Sequence, residues 1–114
     1  MNEKKEKRIR RHARVRSRIS GTASRPRLSV AKSNRYIWCQ LIDDVKGETI
    51  AYVTSKTIAP EKTMSESAVL VGEAIAKEAK TKKVTEAVFD RGGYAYVGLI
   101  ESLANSARKG GLKF

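Results

Sequence analysis

The chain has 114 residues, one cysteine, one histidine and a formal net charge of +12, a length that suits one small domain with a real core. With Cys39 alone, no internal disulfide can form, and a zinc site or redox pair lacks ligands, which points to the cytosol. No apolar h-region lies near the start and no stretch reaches transmembrane length, so a secreted or membrane protein is not expected and the chain reads as cytoplasmic.

Charge is unevenly spread. Residues 1–35 hold thirteen Lys or Arg against Glu3 and Glu6, whereas residues 36–114 hold eleven basic and ten acidic residues. The pattern is a near-balanced domain carrying a cationic arm, and residues 1–24 are taken as that arm, with 25–114 as the globular part. "KRIRRHARVRSR" is rich in arginine, whose planar fork pairs with phosphate and stacks on bases, so nucleic acid is the expected polyanion, with a solvated or targeting segment as the alternative. Ile9, Ala13 and Ile19 give only a thin apolar stripe, and like charges at i, i+4 repel; the arm is expected to order on binding.

Gly21 and Pro26 break the arm's pattern. "RLSVAKS" and "YIWCQLIDD" then read as strands, joined by the polar hairpin tip "KSNRY". In the second of them apolar residues fall on both faces, so Trp38 and Cys39 are expected in the core, with base stacking by a strand-edge indole as the alternative for Trp38. "DDVKGE" is a turn in which Asp43, Asp44 and Glu48 flank Lys46-Gly47, and "TIAYVTS" is a third strand of an antiparallel meander. Residues 56–63 read as a loop around Pro60. A helix follows, capped by Thr63 or Ser65, with Met64, Ala68, Val71, Ile75 and Ala79 at helical spacing and an end near Lys82. "KVTEAVF" is a fourth strand, and its helical crossover favours parallel pairing with an earlier one. A last helix buries Ile100, Leu103, Ala104 and Ala107 and stops at Gly110-Gly111. The order β-β-β-α-β-α describes a compact α/β sandwich.

"FDRGGYAYVG", residues 89–98, has the outline of a phosphate-binding turn, because glycines let amides approach an oxyanion and a helix start follows. It matches neither a Walker turn nor G-x-G-x-x-G. It reads equally as a tight strand-to-helix turn. Arg91 sets a cation beside Gly92 and Gly93, and Tyr94 and Tyr96 offer flat faces for unpaired bases or for the core. A metal-dependent nuclease would need Asp43, Asp44, Glu48 and Asp90 to converge, but the first three belong to a turn and Asp90 stands nearly alone, as an acceptor for loop amides. His12 lies in the arginine run, far from Cys39 and from any serine partner, so no triad is assembled. No catalytic residue, metal or cofactor is expected.

Three ordered stretches, "RIRRHARVRSRISGTASRPRLSVAKSNRYIWCQLIDD", "AVLVGEAIAKEA" and "FDRGGYAYVGLIESLANSARKGGLKF", together resemble the bacterial large ribosomal subunit protein 18 family nearly end to end. The resemblance implies a structural RNA binder, not an enzyme. Such a protein holds 5S rRNA and helps attach it to 23S rRNA in the central protuberance, beside neighbouring large-subunit proteins, with no membrane and no small-molecule substrate. It also implies a three-layer sandwich with a mixed four-stranded sheet, of the ribonuclease-H-like group. Matching positions place the RNA-binding arm on Arg8, Arg10, Arg11, His12, Arg14, Arg16 and Arg18, and the "RPRL" motif on Arg25 to Leu28, with Arg25 and Arg27 as contacts. The tip falls on Lys32, Ser33, Asn34, Arg35 and Tyr36, and the loop on Arg91, Gly92, Gly93, Tyr94 and Tyr96. Where the family usually continues Tyr-His-Gly-Arg, this chain reads Tyr96-Val97-Gly98-Leu99, without the imidazole and the cation.

Overall fold

The computed structural model describes residues 20–94 and 98–114. Three strands form first, β1 (Arg27–Lys32), β2 (Ile37–Asp43) and β3 (Glu48–Thr54). A short helix α1 (Ser55–Ile58) and a long helix α2 (Met64–Thr81) lead to β4 (Val88–Asp90), and α3 (Leu99–Lys109) follows. The sheet order is β3-β2-β1-β4. β1, β2 and β3 make the expected antiparallel meander, and β4 pairs parallel to β1. The fold is thus α/β, with a mixed four-stranded sheet and helices.

Alternation along the strands assigns the two faces. Leu28 and Val30 of β1, Ile37, Cys39 and Leu41 of β2, and Ala51 and Val53 of β3 are buried in one cluster. Ala68, Val71, Ile75 and Ala79 of α2 join it, as do Ile100, Leu103 and Ala107 of α3. Each large aliphatic side chain removed from water here contributes about 1.5–3 kcal/mol. Of the three expected layers, the described residues supply the sheet and the helices packed on this face. The opposite face carries Ser29, Ala31, Trp38, Gln40 and Ile42, all half-buried. Trp38 therefore lies outside the buried core expected for it, because it alternates with Cys39, and Cys39 takes the helix side. Burial pushes the Cys39 thiol up from its ordinary value, as suits an inert core side chain.

Local signals explain the helix boundaries. Thr63 Oγ1 accepts from the Glu66 N–H at 3.3 Å and caps α2. Residues 56–58, read as loop from the sequence, form α1 together with Ser55, read as the end of the third strand, because Thr54 Oγ1 accepts from the Lys56 N–H at 3.3 Å. At the end of α3, the Leu112 N–H reaches the Ala107 carbonyl at 3.2 Å and the Gly111 N–H the Arg108 carbonyl at 3.0 Å, a Schellman stop with Gly111 at φ +107°. The helices meet closely: a Cβ on Gly72 would strike the Leu103 carbonyl and Ser106 Cβ. β4 is shorter than "KVTEAVF", since residues 84–87 approach it with Ala87 bonded to Lys113 rather than to β1.

Candidate nucleic-acid interface

Parallel pairing decides which loops meet. β1 and β4 run the same way, in register Arg27↔Val88 to Ser29↔Asp90, so the loop leaving β4 runs beside the second half of β1. A Cβ on Gly92 would lie 2.9 Å from the Val30 carbonyl, and the Tyr94 hydroxyl donates to the Lys32 carbonyl at 3.1 Å. The hairpin tip and the glycine loop, about 60 residues apart in sequence, are thereby joined at one end of the sheet.

The tip is a tight polar turn. The Ser33 N–H reaches the Tyr36 carbonyl at 2.8 Å and Ser33 Oγ accepts from the Tyr36 N–H at 3.3 Å, which leaves the side chains of Ser33, Asn34 and Arg35 exposed. Lys32 and Tyr36 are half-buried. Lys56 of α1 places its Nζ 6.0 Å from the Tyr36 ring centroid, at the outer reach of a cation–π contact. This cation was not singled out from the sequence; the signal for it was Thr54 as a helix cap directly after a strand. Ser55 Oγ, accepting from the Ile37 N–H at 3.0 Å, ties α1 to the start of β2.

In the loop, the Tyr94 N–H reaches the Arg91 carbonyl at 3.1 Å, with Gly92 at φ +65° and Gly93 at φ +81°. Positive φ at both central positions is the geometry that demands paired glycine. The Gly92 N–H donates to Asp90 Oδ1 at 2.9 Å. Two loop amides are therefore committed within the protein, and one of them faces a carboxylate, so the loop is a rigid turn presenting Arg91 rather than a phosphate cradle. Tyr94 is half-buried, packed on the core and tied through its hydroxyl, which makes it a strut between loop and tip more than an open stacking face.

Arg27 does not belong with the surface cations. It is 4% exposed, and Asp90 is 0% exposed. Its Nη1 donates to Asp90 Oδ2 at 2.7 Å, its Nε to Asp44 Oδ2 at 3.0 Å and its Nη2 to Asp44 Oδ1 at 3.1 Å. Burial works against the charge, but the hydrogen bonds and field of Asp44 and Asp90 outweigh it and raise the guanidinium further above its ordinary value. Arg27 is withdrawn from RNA contact because its fork is filled by two carboxylates; Asp90 accepts a loop amide as expected, but it is not alone, because it also holds that fork. Asp43 behaves as a turn residue, accepting from the Val45 and Lys46 N–H groups at 3.0 and 3.3 Å. Among the described residues no group of three or more His, Cys, Asp or Glu is placed to hold a metal ion.

Arg25 is exposed, but at the other end of the sheet, just before β1. The folded body reaches back past it to Gly21, whose N–H donates to Asp44 Oδ2 at 2.7 Å. Arg8, Arg10, Arg11, His12, Arg14, Arg16, Arg18 and Tyr96 lie outside the described residues. Leu99, where the related pattern carries a cation, packs against the core. No helix among the described residues is long and apolar enough to cross a membrane.

Residues 2–114 match the family model described as ribosomal L18 of archaea, bacteria, mitochondria and chloroplast. A large ribosomal subunit protein uL18 from Limosilactobacillus reuteri is 57% identical over 108 residues, covering 94% of this chain and 92% of its own length. Proteins of the same name from Staphylococcus haemolyticus and Staphylococcus aureus are 51% and 53% identical, each covering 98% of this chain and 96% of their own. With a family match over nearly every residue, and relatives aligned along almost their full lengths, the chain belongs to the ribosomal L18 family.

Proposed function

We propose that this chain is a structural constituent of the large ribosomal subunit that binds 5S rRNA and helps attach it to 23S rRNA in the central protuberance. The observation that carries the reading is the junction of hairpin tip and glycine loop through Tyr94 and Lys32. It gathers Arg35, Arg91 and Lys56 with the polar Ser33 and Asn34 on one rigid end of the sheet. Cations there neutralise phosphates, while fixed polar groups match RNA shape and 2′-hydroxyls. The arginines of residues 8–18 add sequence-independent attraction, much of it from counterion release. The names of the relatives support the assignment to the large subunit.

The test is a titration of labelled 5S rRNA against unrelated RNA of equal length and duplex DNA, at several salt concentrations. Preference for 5S rRNA that persists as salt rises is the expected result; equal affinity for all three would leave a general nucleic-acid binder. Incubation with Mg²⁺ or Mn²⁺ is expected to leave the RNA intact, since both Asp90 oxygens are engaged by Arg27 and Gly92. Cleavage lost in Asp90→Asn would instead argue for a nuclease.

A further inference from the structure

The end of the body opposite the tip is cationic as well. Hydrogen bonds lay three stretches of chain side by side there: the Lys83 N–H turns back to the Lys80 carbonyl at 3.0 Å, the Lys113 N–H reaches the Thr85 carbonyl at 3.0 Å, the Ala87 N–H the Lys113 carbonyl at 2.9 Å, and the Val88 N–H the Pro26 carbonyl at 2.9 Å. Lys80, Lys82, Lys83, Lys113 and Arg25 are all exposed, so this stitching collects five cations. Among the described residues, none of the four lysines is drawn into an ion pair. The length of β1 separates them from the tip by about 20 Å.

A structural role accounts for only part of the cluster. Cations in the last turn of a helix offset its negative dipole end, which explains Lys80 and Lys82 but not Lys113, which lies beyond α3. Nor does it explain Lys83. The Val84 N–H reaches the Ala79 carbonyl at 2.8 Å, so α2 ends in the same Schellman stop as α3, with Lys83 at φ +61° in the position that Gly111 fills in α3. Lys83 is the one non-glycine residue at positive φ among the described residues. Glycine would hold this geometry without strain. A lysine kept there against its backbone preference points to work for its ammonium group outside the fold.

We propose that Lys80, Lys82, Lys83 and Lys113, with Arg25, form a second site for RNA backbone, so that the folded body lies between two RNA segments instead of resting on one. The proposal rests on the RNA-binding function proposed above. The chemistry is that of phosphate contact without base readout. The aromatic ring next to Lys113 in sequence is occupied, Phe114 being stacked on Phe89 at 5.2 Å between centroids with the Arg108 guanidinium 4.4 Å from its own. Ammonium groups on flexible stems without a stacking platform hold phosphates in sequence-independent fashion.

The full chain is compared with a variant carrying Lys80→Gln, Lys82→Gln, Lys83→Gly and Lys113→Gln, using labelled 5S and 23S rRNA. For 23S rRNA, the slope of log K against log salt should become shallower by about 3, at roughly 0.7–0.9 per lost contact. Capture of 23S rRNA by chain already saturated with 5S rRNA should fall about tenfold or more, with 5S affinity retained. Lys83→Gly alone should raise the melting temperature while lowering 23S affinity, a combination that damage to the fold cannot produce. An unchanged 23S slope in the fourfold variant, or loss of 5S binding with 23S capture intact, overturns the proposal. Failure of the parent chain to prefer 5S rRNA would count against the function proposed above, and the 23S slope would still decide the second site.

Discussion

Arg27 does structural work that its place in Arg25-Pro26-Arg27-Leu28 does not announce. Its fork closes on Asp44 and Asp90, 17 and 63 residues away. One chain's sequence shows a charge but not the partner that folding brings to it, so Arg27 and Arg25 look alike until the register of β1 and β4 is known. Arg27→Ala leaves two carboxylates facing a vacated site and should cost about 3–5 kcal/mol in urea denaturation. Arg27→Lys should recover only part of that, since one ammonium cannot make a bidentate contact to Asp44 and also reach Asp90. The neighbouring loop separates binding from stability. Arg91→Ala should weaken 5S rRNA binding by about 1–3 kcal/mol with its melting temperature nearly unchanged. Gly93→Val should lower both, because a β-branched residue resists the φ of +81° found there.

Elements with strong periodicity or local chemistry were legible. Thr63 as cap, the buried stripe Ala68, Val71, Ile75, Ala79, and the glycine stop after α3 all follow from rules that act within a few residues. The short α1 was hidden because four residues carry too little periodicity, and β4 was overextended because "KVTEAVF" alternates although only its end pairs with β1. The intimacy of α2 and α3 was also invisible, since a helical glycine reads as a weak point until its neighbour is known. Gly72 is where the helices touch, and the bond from Ser106 Oγ to the Val69 carbonyl at 2.6 Å lies one turn away. Gly72→Ala, ordinarily favourable in a helix, should here destabilise by about 1–3 kcal/mol through overpacking against the α3 backbone. Thermal unfolding of the variant checks the sign.

At the scale of the molecule, element order was enough to anticipate an α/β body, whereas the pairing of loops at each end required the sheet order. The expected arm, residues 1–24, can be tested apart from the body. Deleting residues 1–20 removes nine basic side chains and keeps Gly21, whose N–H is bonded to Asp44. The remaining chain should fold, and the salt slope for 5S rRNA should become shallower by about 3–4 if roughly half of the nine reach phosphates. Deleting residues 1–24 should in addition lower the melting temperature, because it removes buried Gly21 and its bonds to Asp44.

The parallel seat of β4 beside β1 also sets an order of events during synthesis. The arginine run and the tip are made first, yet the strand that carries the glycine loop arrives only after α2 has been completed. Loop closure over so many residues is slow compared with forming a hairpin. Under the proposed function, a nascent chain that has not yet reached β4 attracts RNA by charge before the loop can contribute to recognition. A fragment ending at Lys82 should bind 5S and unrelated RNA equally, and discrimination should appear only once residues beyond the glycine loop are present; selectivity already present in the fragment would show that the tip recognises RNA without its partner loop.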